Sequence, residues 1–275
     1  MNDLNFEDLN NYLINQNGRI IHQVWFDTIT NKKQAKKDFK SLKLYRDSWT
    51  IKNPTWTRMI WNVKNSRMLI KTFFPEHLEL YDNYKYEIQR CDAVRYFFLY
   101  LYGGFYVDMD YYCNKPLDEV RKNFNNDIYF VQSSNMRGCY ISNSLMFSIP
   151  KHNYWKKIFI DLEKSSDTVW YYSKHLCVMY STGPAFLNRM YIKYSDIFKV
   201  HTLPYKLFNP YGIGDSISSL KDNPDVYAIH IGKGSWEDKD STIIKFFYIN
   251  CRITIFIISV MFLPYLLLNL IRKYK

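Results

Sequence analysis

The sequence predicts an α/β fold with a largely parallel sheet. From residue 19 to residue 240, strand-like apolar runs alternate with longer stretches of helical spacing, and this alternation is typical of parallel sheets covered by helices. The chain is 47% hydrophobic and 19% aromatic, which is enough for one substantial core. No internal repeat or low-complexity linker interrupts this range, so we predict a single domain over residues 19–240.

The predicted elements follow one another in chain order. Strands are expected at residues 19–26, 57–62, 105–110, 128–132, 144–149, 198–203 and 226–231. Helices are expected at residues 35–49, 86–102, 152–163 and 184–194. The pair Gly103-Gly104 ends the second of these helices and leads into the strand over residues 105–110. Because ligands bind at the carboxyl ends of strands in such sheets, we expect a site where this strand ends.

The two ends of the chain differ in character. Residues 1–18 are polar and acidic and contain no apolar run, so we expect no signal peptide there. Residues 253–271 contain no formal charge and are about as long as a helix that crosses a bilayer, roughly 20 residues. An aromatic and basic stretch at 241–252 precedes them, and a basic tail at 272–275 follows. We expect a single transmembrane helix, with a buried core helix as the alternative.

The formal charge of +11 indicates an anionic partner, for which nucleic acid, a membrane surface and a phosphorylated small molecule all qualify. The lysines are spread along the chain and form no dense arm of the kind that binds nucleic acid, so we expect no nucleic-acid partner. The five cysteines are odd in number and form no C-x-x-C pair, which excludes the usual zinc and disulfide frameworks.

Two carboxylates occupy the end of the predicted strand over 105–110. Asp108 and Asp110 are two residues apart, so the alternation of a strand puts both on one side of the chain, with Met109 opposite. Paired oxygen donors suit Mg²⁺ or Mn²⁺, which complete their coordination with phosphate and water. An Asp-x-Asp sequence alone also occurs by chance in turns. Its position at a strand end favours a metal site.

A second pair of charged residues precedes the glycines. Asp92 and Arg95 are three apart in the predicted helix 86–102 and therefore share a face. A surface salt bridge is one interpretation of this spacing. The other is that both residues face the same cleft as the Asp108–Asp110 pair, where an acid can accept sugar hydroxyls and a guanidinium can bind a phosphate.

The run CDAVRYFFLYLYGGFYVDMD, residues 91–110, resembles the signature of glycosyltransferases that contain the DXD sugar-binding region, known as glycosyltransferase family 32. Fungal initiating α-1,6-mannosyltransferase and inositol phosphoceramide mannosyltransferases belong to it. Other landmarks occur in family order across residues 19 to 238: Ile20 to Trp25, Asn53 to Trp56, Trp61-Asn62, Asn143, Thr182-Gly183-Pro184, His230 and Ser235-Trp236.

The resemblance implies a GT-A fold, a Mn²⁺ or Mg²⁺ ion, a sugar-nucleotide donor and a retaining transfer. It implies that Asp108 and Asp110 hold the metal and the nucleotide, and that Asp92 and Arg95 hold the donor sugar. His230 is expected as a further metal ligand, and the alternative is a core histidine. The alternative arises because family members often carry a pair of histidines at this position, whereas this chain has a single histidine. The remaining cofactor-binding residues that the resemblance implies are His22, Trp25, Tyr106, Asn143, Gly183, Ser235 and Trp236.

Among these, Trp25 is expected to stack on the nucleotide base, although a strand tryptophan is equally compatible with a core position. Asp215, Asp222 and Glu237 are candidates for residues on the acceptor side. Nothing in their spacing singles any of them out for that role. We expect transfer of a hexose, mannose from GDP-mannose, to a membrane-associated acceptor such as an inositol phosphoceramide or a glycan.

The expected location is an endomembrane of the endoplasmic reticulum or Golgi type, or a viral or host membrane. The alternative function is a catalytically inactive, membrane-tethered binding or scaffold protein with the same fold.

Overall fold

A computed structural model describes residues 5–122, 127–133, 140–166, 172–210, 216–234 and 236–250, together with 259, 260 and 262. The strands of these residues are β1 (Ile20–Val24), β2 (Thr57–Trp61), β3 (Gly104–Val107), β4 (Tyr111–Cys113), β5 (Ile128–Gln132), β6 (Ile141–Ser148), β7 (His201–Leu203) and β8 (Ala228–His230).

The helices are α1 (Phe6–Ile14), α2 (Lys32–Ser41), α3 (Lys43–Lys52), α4 (Val63–Phe73), α5 (Leu78–Asn83), α6 (Glu87–Tyr102), α7 (Leu117–Arg121), α8 (Tyr154–Ser166), α9 (Lys174–Ser181), α10 (Pro184–Phe198), α11 (Tyr205–Phe208), α12 (Ile217–Lys221) and α13 (Lys239–Ile249). The predicted helix over 35–49 is therefore two helices, α2 and α3, that meet at Leu42. The α/β class that the sequence predicts is confirmed.

A six-stranded sheet with the order β2-β1-β3-β6-β5-β7 forms the centre of the fold. β1 is parallel to both β2 and β3, and β5 is parallel to β7, whereas β6 is antiparallel to β3 and β5. Only eight residues separate β5 from β6, too few for the crossover that parallel neighbours need. The sheet is thus largely parallel, with one antiparallel strand.

The predicted strand over 105–110 ends earlier than expected. β3 stops at Val107, and the chain then turns, since the backbone N–H of Tyr111 donates to the carbonyl of Asp108 at 3.2 Å. β4 begins at Tyr111 and leaves the main sheet to pair antiparallel with β8. Asp108 and Asp110 therefore occupy a turn between two sheets, and strand alternation does not set their direction.

Helix α6 is the central helix of the fold. Thirteen of its sixteen residues are buried, among them the polar residues Gln89, Asp92 and Arg95. It ends at Gly103, which has a φ of 66°, and Gly104 follows with a φ of 94°. A Cβ at Gly104 would lie 2.4 Å from the carbonyl oxygen of Ile20. The glycine pair thus lets α6 turn directly into β3 against the start of β1.

Two apolar clusters cover the two faces of the sheet. The alternation of β1 and β3 divides them, because Ile20 and Tyr106 pack with α6 while Ile21 and Phe105 pack with Trp49 of α3. Three of the cysteines, Cys91, Cys113 and Cys177, are buried, and these three form no disulfide bond. They pack as small side chains, as their number and spacing predict.

The core extends beyond the predicted boundary at residue 19. Leu9 and Leu13 of α1 are buried in the α6-side cluster, and Asn10 accepts a hydrogen bond from the hydroxyl of Tyr102 at 2.9 Å. The segment 1–18 predicted as a polar extension therefore includes a helix that belongs to the domain. Its buried leucines are spaced four apart, which a composition average over the segment conceals.

Among the described residues, no helix is both long and apolar enough to cross a membrane. The predicted span over 253–271 lies outside the described residues except for 259, 260 and 262.

Candidate metal and sugar-nucleotide site

The carboxylates of Asp108 and Asp110 converge on His230. The Nε2 atom of His230 lies 3.1 Å from Oδ1 of Asp110 and 3.7 Å from Oδ2 of Asp108. One oxygen or nitrogen from each of the three residues lies within 4.8 Å of the others. All three side chains are partly exposed. The turn after β3 and the end of β8 thus bring together the three residues predicted as metal ligands.

Pairing of β4 with β8 places the histidine. Tyr111 is the register partner of His230, and the two rings stack with centroids 4.4 Å apart. The following glycine-flanked segment, Gly232 to Gly234, folds back so that the backbone N–H of Lys233 donates to Oδ2 of Asp110 at 2.7 Å. One carboxylate oxygen of Asp110 therefore contacts the imidazole of His230, and the other accepts the hydrogen bond from the backbone N–H of Lys233.

The charges of the cluster shift its ionisation. Burial acts to raise the pKa of Asp110, but His230 and the N–H of Lys233 outweigh it, and the pKa lies below its ordinary value. Burial raises the pKa of Asp108 against the opposing charges of Arg95 and His230. For His230, burial is outweighed by the two aspartates, which raise its pKa. The cluster is thus an anionic site that favours a positive charge at the histidine position.

The residues of this cluster fit a divalent cation. Two carboxylate oxygens and an imidazole nitrogen are three donors, and the remaining positions of a six-coordinate ion stay available for phosphate and water. Imidazole is a common ligand of transition metals, whereas Mg²⁺ prefers oxygen. Since Nε2 donates to Asp110 when no cation is bound, binding of a metal at this nitrogen requires loss of that proton.

Arg95 lies beneath the cluster and is almost fully buried, with 8% of its side chain exposed. Its Nη1 lies 3.3 Å from Oδ1 of Asp108 and 3.1 Å from the carbonyl oxygen of Asn143. Its Nη2 lies 3.1 Å from Oδ1 of Asp92, and its Nε donates to the carbonyl of Cys91. All three guanidinium nitrogens therefore have protein acceptors, which differs from the expectation that Arg95 binds donor phosphate directly.

Tyr106 and Asn143 complete the support of the two aspartates. The hydroxyl of Tyr106 donates to Oδ1 of Asp108, and its ring lies under the guanidinium of Arg95, 4.5 Å from the centroid. The amide of Asn143 donates to Oδ1 of Asp92 at 3.1 Å. The sequence predicts both as cofactor-binding residues, whereas the structure shows each in contact with a charged side chain of the protein.

Asp92 is buried against the turn between α9 and α10. Burial raises its pKa to about 6, opposed by Arg95 and by the amide of Asn143. The turn contains Gly183, and a Cβ at that position would lie 3.3 Å from Oδ2 of Asp92 and 2.9 Å from the carbonyl oxygen of Val178. Gly183 is therefore required for the close approach of this turn to Asp92.

His22 is a core residue. It has no solvent exposure, and its ring stacks between aromatic residues, 4.5 Å from Phe98. Its Nδ1 accepts a hydrogen bond from Trp61 Nε1, and its Nε2 donates to the carbonyl of Gly103. Burial lowers its pKa to about 3. With both nitrogens satisfied inside the core, the expectation that His22 binds the cofactor does not agree with its position.

Trp25 is half-buried and borders a surface groove of about 700 Å³ at the carboxyl ends of β1 and β2. Its ring lies 5.3 Å from that of Phe39 of α2. The basic residues of the groove are Lys32, Lys36, Lys40 and Lys64, with Asp27 as the acidic one. Because β1 is the neighbour of β3, the groove lies at the same sheet edge as Asp108.

The sequence analysis assigns the lysines of α2 to no site, and the groove is not predicted. Their i, i+4 spacing at Lys32, Lys36 and Lys40, next to the strand that ends at Trp25, is the signal that indicates a basic face. Lys233 was also missed. Its Nζ lies 3.1 Å from the hydroxyl of Ser41 at the end of α2, so it links the metal cluster to the helix that borders the groove.

The remaining residues that the sequence predicts for the site lie away from the metal cluster, beside it without a shown contact, or outside the described residues. The ring of Trp236 stacks on His175 of α9 with centroids 5.4 Å apart and packs against the core. Ser235 and Asp215 lie outside the described residues. Asp222 is exposed at the end of α12, and Glu237 adjoins Gly234.

Comparison with known families gives a match over residues 39–127 to the glycosyltransferase sugar-binding region containing the DXD motif. This range includes Asp92, Arg95, Asp108 and Asp110. The groove residue Trp25 and the metal-cluster residue His230 lie outside it.

Two yeast proteins illustrate the similarity over longer ranges. The chain is 30% identical over 234 residues to inositol phosphoceramide mannosyltransferase 2 of Schizosaccharomyces pombe, a match that covers 82% of this chain and 60% of the relative. It is 34% identical over 142 residues to mannosyl phosphorylinositol ceramide synthase SUR1 of Saccharomyces cerevisiae, covering 52% of this chain and 35% of the relative. The chain thus spans between about a third and about three-fifths of the length of these relatives.

Among solved structures, mouse xyloside xylosyltransferase 1 superimposes with a TM-score of 0.48 at 9% identity, covering 78% of this chain and 98% of that chain. A score at this level supports no inference. The description of the fold therefore rests on the sheet of this chain itself.

Proposed function

We propose that the chain transfers a hexose from a sugar nucleotide and depends on a divalent metal, because residues 39–127 match the glycosyltransferase sugar-binding region containing the DXD motif and the chain is similar to yeast mannosyltransferases. The observation that carries the proposal is the convergence of Asp108, Asp110 and His230 on one point at the carboxyl edge of the sheet. A metal there, Mn²⁺ or Mg²⁺, would be held by these three residues and would neutralise the diphosphate of the donor.

The groove beside this cluster supports a nucleotide at the same edge. Trp25 offers a ring face to a base, and the lysines of α2 provide positive charge for an anionic ligand. The segment around Lys233 contacts both Asp110 and Ser41, so groove and cluster are adjoining parts of one surface. A nucleoside diphosphate with its base at Trp25 and its phosphates at the cluster accounts for both.

The residues of the chain have separable tasks in the transfer. The bond between the anomeric carbon and the diphosphate oxygen breaks, and its electron pair leaves with the phosphate. The acceptor hydroxyl forms the new bond to that carbon and passes its proton to the departing diphosphate oxygen. Arg95 holds Asp108 and Asp92 in fixed positions, so the charges that face the leaving group are set before the reaction begins. No described carboxylate lies where its role as nucleophile can be argued from geometry.

The relatives support a finer proposal for the reaction. One is named an inositol phosphoceramide mannosyltransferase and the other a mannosyl phosphorylinositol ceramide synthase. We propose for this chain a GT-A-type fold, a retaining mannosyl transfer from GDP-mannose or another sugar nucleotide, and a lipid or glycan acceptor at a membrane. We propose that the enzyme acts on an endomembrane of the endoplasmic reticulum or Golgi type or on a viral or host membrane.

A catalytically inactive binding protein with the same fold is the second candidate. The arrangement around Asp108 argues against it. Arg95, Tyr106 and Asn143 are buried polar groups, and each contacts the carboxylate of Asp92, of Asp108 or of both. Burial of such groups is costly unless they are paired. An apolar core at this place is more stable for a protein that needs no charged site.

The test is a sugar-nucleotide panel with the full chain in detergent or lipid, with Mn²⁺ and inositol phosphoceramide, scored by release of nucleoside diphosphate and by formation of glycosylated lipid. The Asp110→Asn variant is expected to lose activity. Asp127→Asn is the matched control, because Asp127 also faces a histidine, His201 at 3.0 Å, but lies outside the cluster. Absence of activity with every sugar nucleotide, or equal activity of Asp110→Asn and wild type, contradicts the proposal.

A further inference from the structure

Another surface cavity adjoins the metal cluster and shares no residue with the groove. It is open to solvent and has a volume of about 900 Å³. Gly234 is part of its wall, and the preceding Lys233 donates its backbone N–H to Oδ2 of Asp110 at 2.7 Å. Because consecutive Cα atoms are about 3.8 Å apart, the Cα of Gly234 lies within about 8 Å of that oxygen. The cavity therefore begins at the edge of the cluster.

Contacts between α9 and α13 hold the walls of the cavity in place. The Nζ atom of Lys174 lies 2.9 Å from Oδ2 of Asp238, and the backbone N–H of His175 donates to Oδ2 of Asp240 at 2.8 Å. The carboxylate of Asp240 also accepts a hydrogen bond from the backbone N–H of Ser241 at 2.8 Å. These contacts join the two helices at their amino ends, so the cavity is formed before any ligand binds.

Glu237 lies at the end of the cavity that adjoins the cluster. Its backbone N–H donates to the carbonyl of Gly234 at 2.9 Å. A Cβ at Gly234 would lie 2.7 Å from Cδ and 2.9 Å from Oε1 of Glu237. The absence of a side chain at Gly234 thus leaves room for the carboxylate of Glu237 over the backbone. This carboxylate is a hydrogen-bond acceptor in the part of the wall that is closest in the chain to Lys233.

Polar side chains make up the lining of the cavity. Apart from Gly234, the lining residues are three acids, two lysines, a serine and a threonine, which offer both hydrogen-bond donors and acceptors. The acids exceed the lysines by one, so the wall is locally negative although the whole chain carries a formal charge of +11. Such a wall suits a ring with many hydroxyl groups and does not favour a phosphate. The groove differs, since Trp25, Phe39 and four lysines line it.

The transfer requires a second binding surface beside the cluster. In the proposed function, the diphosphate of the donor lies at the metal cluster and the base lies in the groove, so both places are occupied when the acceptor binds. The acceptor hydroxyl must nevertheless reach the anomeric carbon, which is attached to that diphosphate. A cavity that adjoins the cluster and is separate from the groove permits this approach.

We infer that this cavity binds the hydroxyl-bearing ring of the acceptor, a sugar or a cyclitol, and that Glu237 and Lys239 hold its hydroxyl groups. The inference rests on the proposed function. Glu237 accepts a hydrogen bond from one hydroxyl, and Lys239, an exposed residue of the lining, donates to another. Both act as positioning residues, because they orient the ring so that a further hydroxyl faces the anomeric carbon. Asp222, the other described acid that the sequence offers for the acceptor side, does not line the cavity.

Two residues of α7 provide a matched control. Glu119 and Lys122 are exposed, and Asp118 beside them contacts Arg19, which precedes β1, at 3.0 Å. They therefore lie near the amino end of β1, whereas the cluster follows the carboxyl end of the parallel strand β3. Replacement of both residues by glutamine removes one acid and one base. The corresponding double replacement in the cavity does the same, so both variants keep the net charge of the chain.

The experiment compares wild type with the cavity variant Glu237→Gln, Lys239→Gln and the α7 variant Glu119→Gln, Lys122→Gln, all as full chains in detergent with Mn²⁺. Release of nucleoside diphosphate without acceptor measures use of the donor, and glycosylation of inositol phosphoceramide or methyl α-mannoside measures use of the acceptor. We expect the cavity variant to raise the KM for the acceptor by at least about tenfold. Its KM for the donor and its rate of donor hydrolysis should equal those of wild type, as should every constant of the α7 variant.

The outcomes separate the inference from the proposed function. An unchanged acceptor KM in the cavity variant contradicts the inference and leaves the proposed function intact. The inference is also wrong if donor hydrolysis falls as much as transfer, if the α7 variant loses as much as the cavity variant, or if wild type releases nucleoside diphosphate but glycosylates neither acceptor. If wild type uses no sugar nucleotide at all, the proposed function fails and the inference fails with it.

Discussion

The Nη1 atom of Arg95 lies 3.3 Å from Oδ1 of Asp108. Arg95 belongs to α6, in which thirteen of sixteen residues are buried. The same guanidinium also contacts Asp92, so a single cation compensates two buried carboxylates. Asp108 belongs to the metal cluster, and Asp92 is the residue that the sequence predicts to hold the donor sugar. Arg95 therefore acts as a positioning residue that links the two halves of the site.

Replacement of Arg95 is expected to destabilise the whole domain. Arg95→Met leaves Asp92 and Asp108 buried without a cation, and loss of one partner of a buried pair costs about 3–5 kcal/mol. Arg95→Lys is expected to have a smaller effect of the same sign, because one ammonium cannot contact both carboxylates and the Asn143 carbonyl. Urea unfolding measures the change. Arg67→Met, which breaks an exposed pair with Asp82, is the control and is expected to change little; equal stabilities of Arg95→Met and Arg67→Met contradict the assignment.

Loss of the histidine from the cluster is expected to weaken metal binding. His230→Asn should lower the affinity for Mn²⁺ by at least about tenfold, since even residues that only support a ligand have effects of this size. His201→Asn removes the other histidine that faces an aspartate, at 3.0 Å from Asp127, and should bind Mn²⁺ like wild type. Paramagnetic resonance of free Mn²⁺ measures both. A normal affinity of His230→Asn shows that the two aspartates suffice.

The turn after α6 is expected to tolerate no side chain at its second glycine. A Cβ at Gly104 would lie 2.4 Å from the carbonyl oxygen of Ile20, and the φ is 94°. Gly232 also has a positive φ, 63°, but a Cβ there meets nothing within 4 Å. We expect Gly104→Ala to be far less stable than Gly232→Ala, whose cost should be about 1–2 kcal/mol for strain alone. Thermal unfolding of the two variants compares them, and similar midpoints would contradict this description of the turn.

Trp25 is expected to contribute a stacking surface to nucleotide binding. Trp25→Leu should lower the affinity for a nucleoside diphosphate by about tenfold, in line with stacking energies of about 1–3 kcal/mol per base. Trp25→Phe keeps a ring and should lose less. Fluorescence or calorimetric titration with GDP and UDP measures both variants. If Trp25→Leu and Trp25→Phe bind equally to wild type, Trp25 only packs against Phe39.

The lysines of the groove are expected to add an electrostatic contribution that depends on salt. The double variant Lys36→Gln, Lys40→Gln should weaken binding of nucleoside diphosphate at low ionic strength, and the difference from wild type should shrink as salt is added. The pair Lys156→Gln, Lys157→Gln removes the same charge from exposed positions of α8 and is the matched control. Equal losses in both double variants would show that only the net charge of +11 matters.

The local sequence predicted which helices and strands form at the site better than it predicted the residues at which they end. Apolar runs and helical spacing predicted α6 and β3, and the glycine pair predicted the turn between them, because backbone freedom at Gly103 and Gly104 is a local property. The end of β3 at Val107 was not predicted. It depends on pairing of β4 with β8, and these strands are more than a hundred residues apart.

The sequence alone was enough to recognise a site in the carboxylate pair Asp108 and Asp110 and in Asp92 and Arg95 before it. All four residues lie within one run of twenty positions, so their chemistry and spacing can be read locally. Only the tertiary structure decided their roles. It turned Arg95 inward against two aspartates, placed His22 in the core, and brought His230 to Asp110. Those positions depend on the burial and charge supplied by residues distant in the chain, and no local pattern contains them.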